Sequence, residues 1–134
     1  DGDVYADNFV DYWLTGVCEL SEEQRSRYFG MSQDIELDCE RRALRLLRRW
    51  PELAVDLEAY TIRASAYVYS YTVAAVERLW LRPGGLDSQL PRLRELCPPK
   101  LKPQGWYADT EGRRQRLLYE FLAEKCMMSL LTKR

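Results

Sequence analysis

Histidine is missing from this chain of 134 residues, so the chemistry open to it is narrow from the start. Histidine acid–base catalysis, Ser-His and Cys-His nucleophiles, histidine-ligated haem and Cys2His2 zinc all need an imidazole. Carboxylates, Lys and Tyr remain for proton transfer. Tyr60, Tyr67 and Tyr71 align along one edge of a predicted helix. Tyrosines at that spacing belong to a core, or floor a groove with their hydroxyls at the rim. No nucleophile–base pair can be named, and the chain reads as non-enzymatic.

The cysteines are Cys18, Cys39, Cys97 and Cys126. None forms a CxxC pair, and their intervals match no zinc-ribbon or iron–sulfur spacing. An even count, with each cysteine near the end of a different predicted helix, predicts two disulfides whose connectivity stays open. That in turn predicts a secreted protein or another oxidising compartment. The competing reading is four small buried thiols in a cytoplasmic protein. The acidic alternation Asp34, Glu36, Asp38, Glu40 splits onto two faces of a helix and offers no third ligand, so no metal is expected. No GxGxxG, GxxxxGK or GxSxG pattern occurs, and no cofactor is expected either.

Binding chemistry is better represented. Arg41, Arg42, Arg45, Arg48 and Arg49 share one sector of a predicted helix at 33–50, opposite Ile35, Cys39, Ala43, Leu46 and Trp50. Acids first and arginines last is the order that the helix macrodipole favours, so a solvated face explains much of it. Lysine would serve the dipole equally, and the exclusive use of arginine keeps a protein-contact role open. A second cluster is Trp106 and Tyr107, on a predicted loop, followed by Arg113, Arg114 and Arg116. Large aromatics on a loop are either pinned to the core or displayed as an anchor. The arginines after them oppose the dipole of the last helix, a local cost that points weakly to function.

The elements that must position these residues are helical. An apolar face at helical spacing covers 4–18, a Ser21–Gln24 capping box opens a short helix at 21–30, and Ser32 is the next cap, before 33–50. Pro51 leads into a long helix at 52–81, apolar on two faces: Leu53, Leu57, Tyr60, Ala64, Tyr67, Tyr71 and Ala75 on one, Val55, Ile62, Ala66, Tyr69, Val73, Val76 and Trp80 on the other. A helix covered on two sides is the axis of its domain. A short helix follows at 88–97, then an extended Pro-rich loop at 98–108, then a last helix capped by Asp109 or Thr110 and running to 131. The expected fold is all-α, one domain over residues 1–134, with five to six helices around the central one. The uncharged run 64–76 is short of the roughly 17 to 25 residues needed to cross a bilayer.

Lys and Arg (20) nearly cancel Asp and Glu (21), so no global field draws the chain to nucleic acid or anionic lipid. The expected function is a protein-interaction module, of the secreted-effector or cytokine- or receptor-like kind, binding another protein. Trp106, Tyr107, Arg113 and Arg114 lead its candidate contacts, with Arg45, Arg48 and Arg49 second. The alternatives are a carrier holding an apolar ligand against Tyr60, Tyr67 and Tyr71, and a cytoplasmic assembly subunit of a larger complex.

Overall fold

The predicted capping box at Ser21 forms. Its hydroxyl accepts from the Gln24 amide at 3.1 Å, and the Gln24 side chain accepts from the Ser21 amide at 2.9 Å. In the computed structural model, which describes the backbone of residues 2–81 and 86–131 and the side chains of 8–81 and 86–125, the helix this opens does not stop near Gly30. It runs unbroken as Glu22–Arg49, 28 residues long. An interior glycine costs only about 1 kcal/mol against alanine, which packing along a long helix overrides. Ser32 is buried inside that helix and caps nothing.

Six α-helices are seen among the described residues: α1 Gly2–Leu14, α2 Glu22–Arg49, α3 Leu57–Glu77, α4 Leu90–Leu96, α5 Gln104–Ala108 and α6 Arg113–Leu131. No strand occurs among them, and the chain is an all-α bundle. None of the described helices is long and apolar enough to cross a membrane.

The central helix is shorter at both ends than 52–81. Pro51–Leu53 forms a single 3-10 turn, Ala54 takes a left-handed conformation (φ 54°), and Asp56 caps α3 by accepting from the Ala59 amide at 3.0 Å. At the far end Arg78 is left-handed as well (φ 56°). Such a backbone is costly for a residue with a side chain. Here the guanidinium offsets the cost by tying down the end of α1: it donates to the Trp13 carbonyl at 2.7 Å, pairs with Glu19 at 3.0 Å and lies 4.7 Å over the Trp13 ring.

The two-sided pattern of α3 is what builds the core. Ile62, Ala66, Tyr69 and Val73 belong to one cluster with Leu93 and Leu96 of α4, Tyr107 of α5 and Leu118 and Leu122 of α6. Tyr71 and Ala74 belong to another, with Val10 and Trp13 of α1 and Phe29 of α2. Val76, beyond the reach of both layers, is exposed. Within 98–108, expected to be extended, Gln104–Ala108 closes as a short helix. The first helix ends at Leu14 rather than at 18, and Gly16 makes the turn at φ 82°.

The cysteines correct the expected pair of disulfides. Cys18, Cys39 and Cys97 are free thiols. Cys126 lies outside the described side chains. Cys39 faces solvent, whereas Cys97 is sealed in the core, where burial pushes its thiol up to about 12. An outward and an enclosed thiol cannot bridge without rebuilding the backbone between them.

Candidate functional site

The segment carrying Trp106 and Tyr107 is pinned. Tyr107 has no exposed surface, which takes it out of reach of a partner. Its hydroxyl shares a proton with Ser65 Oγ at 3.0 Å and accepts from the Lys102 amide at 3.1 Å. Its carbonyl accepts from the Thr72 hydroxyl, which in turn accepts from Gln33 Nε2 at 2.9 Å. Tyr69 reaches the same segment, donating to the Asp109 carbonyl at 2.8 Å. Trp106 is half-buried, edge-on to both Tyr69 and Tyr107. Burial disfavours the tyrosinate form and so raises the pKa of both Tyr69 and Tyr107 above the ordinary tyrosine value. Arg113 and Arg114 are exposed on the first turn of α6. Arg116 pairs with Glu120 at 3.3 Å.

The tyrosine edge of α3 is covered too. Tyr71 is buried, Tyr67 half-buried, and both meet the Trp80 ring edge-on at 4.8 and 6.2 Å. Between these rings and Val10, Asp11 and Leu14 of α1 is a recess of about 270 Å³. Ligand pockets ordinarily enclose about 300–1,000 Å³, so the recess falls short of a lipid-sized guest. Tyr60 stands apart, half-buried, with its hydroxyl pushed up to about 12 by burial and then by its hydrogen bond to Glu40. Among the described residues no three cysteines or carboxylates gather as metal ligands would.

One surface does collect binding chemistry, along the C-terminal half of α2. The helix packs on α3 through Phe29, Gln33, Leu37 and Leu44. The apolar stripe read opposite the arginines is largely turned outward: Ile35 is 37% exposed, Leu46 55% and Trp50 54%, Cys39 is exposed as well, and Ala43 is half-buried. At about 1.5 Å per residue α2 is about twice as long as α1. α1 therefore covers only the first half, where Phe9 stacks on Tyr28 at 4.9 Å and Trp13 meets Phe29. Beyond that cover the apolar stripe stands bare, and Leu53 and Val55 extend it.

Arginines border it. Arg42 pairs with Asp38 at 3.0 Å, and Arg41 donates to the Lys102 carbonyl at 3.1 Å. Arg45, Arg48 and Arg49 have no ion-pair partner among the described residues, and with Arg42 they ring Leu46 in a shallow hollow. Sequence reasoning found these arginines and set Ile35, Cys39, Ala43, Leu46 and Trp50 opposite them, without settling which stripe is buried. The chain carries two apolar stripes on α2, and the true inner one is interrupted by Gln33 and Glu40. The usable signal was length: a first helix half as long as the second leaves half of it uncovered.

Set against protein-family models, curated proteins and solved structures, the chain matches none of them.

Proposed function

We propose that the chain is a protein-interaction module whose contact surface is the outer face of the C-terminal half of α2. The observation that carries this is the pairing of exposed Leu46 and Trp50 with the unpaired Arg45, Arg48 and Arg49. Tryptophan and arginine dominate binding hot spots because each combines a large apolar body with directional polar contacts. The bare stripe gives the apolar centre of an interface, and the arginines give its charged rim. The rim suits acidic side chains of a protein. The near-zero net charge and the acids Asp34 and Asp38 beside the stripe weigh against nucleic acid. A secreted effector or a cytokine- or receptor-like domain fits this reading, as does an assembly subunit; counting reactive thiols under denaturing, non-reducing conditions separates them.

The test is selective loss. Proteins captured by the wild-type chain are compared with those captured by Leu46→Glu/Trp50→Ala and by Val17→Ala, a control at a site 71% exposed. A specific partner lost only with the first variant, at unchanged thermal midpoint, supports the reading. Equal capture by all three overturns it.

A further inference from the structure

The outer face of α2 is polar along its length as well as amphipathic across it. Its apolar stripe is Ile35, Cys39 and Leu46, continued by Trp50 at the C-terminal cap, within a sector of about 60°. Alongside lies a charged stripe that changes sign midway: Asp34 and Asp38 first, then Arg42, Arg45 and Arg49. Leu37 and Leu44, which hold the helix on the core, point to the other side, so both stripes face solvent over about 22 Å.

We infer that this face binds a second copy of itself, α2 against α2 in antiparallel order. The inference rests on the reading of this face as an interface and names its partner. With the two-fold axis between Arg42 and Ala43, Ile35 of one copy meets Trp50 of the other, and Cys39 meets Leu46. An antiparallel two-fold brings the charged stripe of each copy against the same stripe of the other. Asp34 then lies beside Arg49 and Asp38 beside Arg45, each pair made twice. In parallel order the two-fold would run along the helices and put the two charged stripes on opposite sides of the seam, so none of these acid–arginine pairs would form. The sign change along α2 therefore selects antiparallel self-pairing. Arg42, nearest the axis, keeps the Asp38 carboxylate at 3.0 Å, which screens it from its own copy. A two-fold contact of this kind is closed, because the same patch is used on both copies and no edge is left to recruit a third.

The cysteine in the stripe gives the test its geometry. Cys39 and its own copy are offset by about 10 Å along the helix axis, too far for a disulfide, whereas position 46 lies directly across from Cys39. Under mild oxidation Leu46→Cys is expected to give a covalent dimer whose mapped bond joins residue 39 of one copy to residue 46 of the other. Wild type is expected to stay uncrosslinked, yet its mass in sedimentation equilibrium rises with concentration from 15.8 kDa toward twice that value. Arg45→Glu is expected to weaken the rise, and Asp38→Lys combined with Arg45→Glu to restore it. A mass of 15.8 kDa at every concentration, or a mapped bond between any other pair, overturns the inference. If the chain stays monomeric while Leu46→Glu/Trp50→Ala still loses a different captured protein, the second copy is excluded and the interface reading stands. If that variant changes neither association nor capture, both fall.

Discussion

Trp50 and Trp106 stand in similar sequence surroundings, each a few residues from proline and close to arginines, and the fold treats them oppositely. Trp106 sits on a segment to which three layers send hydrogen bonds: Gln33 from α2, Ser65, Tyr69 and Thr72 from α3, and the Lys102 amide from the chain just before it. Trp50 closes α2 with local backbone bonds alone, its amide donating to the Leu47 carbonyl at 3.3 Å and its carbonyl accepting from the Leu53 amide at 3.0 Å, and then Pro51 turns the chain away. An aromatic residue is pinned where polar groups of neighbouring elements converge on its backbone, and displayed where a helix outruns its cover. Proline and arginine nearby do not decide it.

The widest separation between the two regions is in stability. Tyr107→Ala removes a fully enclosed ring and is expected to cost about 3–5 kcal/mol in urea unfolding. Trp50→Ala, at 54% exposure, is expected to stay within about 0.5 kcal/mol of wild type. Equal costs would erase the distinction between pinned and displayed.

A smaller and more collective difference separates the regions in alkali. Burial disfavours the charged form and raises the pKa of Tyr69, Tyr107 and Tyr119, and the Cys97 thiol is pushed up to about 12 from an ordinary value of 9.0. Tyr60, with Glu40 beside it, is raised from 10.0 to about 12. In each case the folded chain holds a proton that the unfolded chain releases at lower pH. Their stabilising contribution is therefore whole below about pH 9 and fades as pH climbs through 10 toward 12. Urea midpoints should be flat near neutrality and fall on that limb, while tyrosinate absorbance rises in step with unfolding rather than before it. A full tyrosinate signal at pH 11 with the fold intact would show the pinned hydroxyls to be open to solvent.

Much of the architecture was legible in the sequence, because it rests on local signals that the fold obeys. The Ser21–Gln24 box, Pro91 in the first turn of α4 and the two apolar faces of α3 from Ile62 to Ala75 appear in place, whereas Trp80, past the end of α3, packs on Tyr67 and Tyr71 rather than on its expected face. Element ends were less legible. Asp56, not Pro51, starts α3, and Arg78 ends it before Pro83, through a left-handed residue that pattern alone does not favour. The candidate site was half legible. The arginines were visible as a sector, but choosing the buried stripe of α2 required knowing that Gln33 and Glu40 find partners inside: the Val68 carbonyl at 3.0 Å for the first and the Tyr60 hydroxyl for the second. Those bonds join residues far apart in the chain, so no local rule shows them. The four cysteines misled for the same reason, since an even count says nothing about which side of a helix each one faces.

The smallest expected effect bears on whether the displayed region is a contact surface or a well-solvated helix end. Arg48 and Arg49 occupy the last turn of α2, where positive charge meets the negative end of the helix dipole. Arg48→Gln/Arg49→Gln should cost about 0.3–1 kcal/mol per charge in low salt and less in high salt, whatever the face does. Arg48→Lys/Arg49→Lys keeps both charges and should restore stability fully. The two roles part at this point, because an ammonium satisfies a dipole as a guanidinium does but cannot present the same planar fork to a carboxylate. If the face is an interface, the lysine variant keeps the wild-type urea midpoint and still loses affinity for whatever the wild type holds. If lysine restores both midpoint and affinity, these two arginines serve the helix end alone, and the contact must rest on Arg45, Leu46 and Trp50.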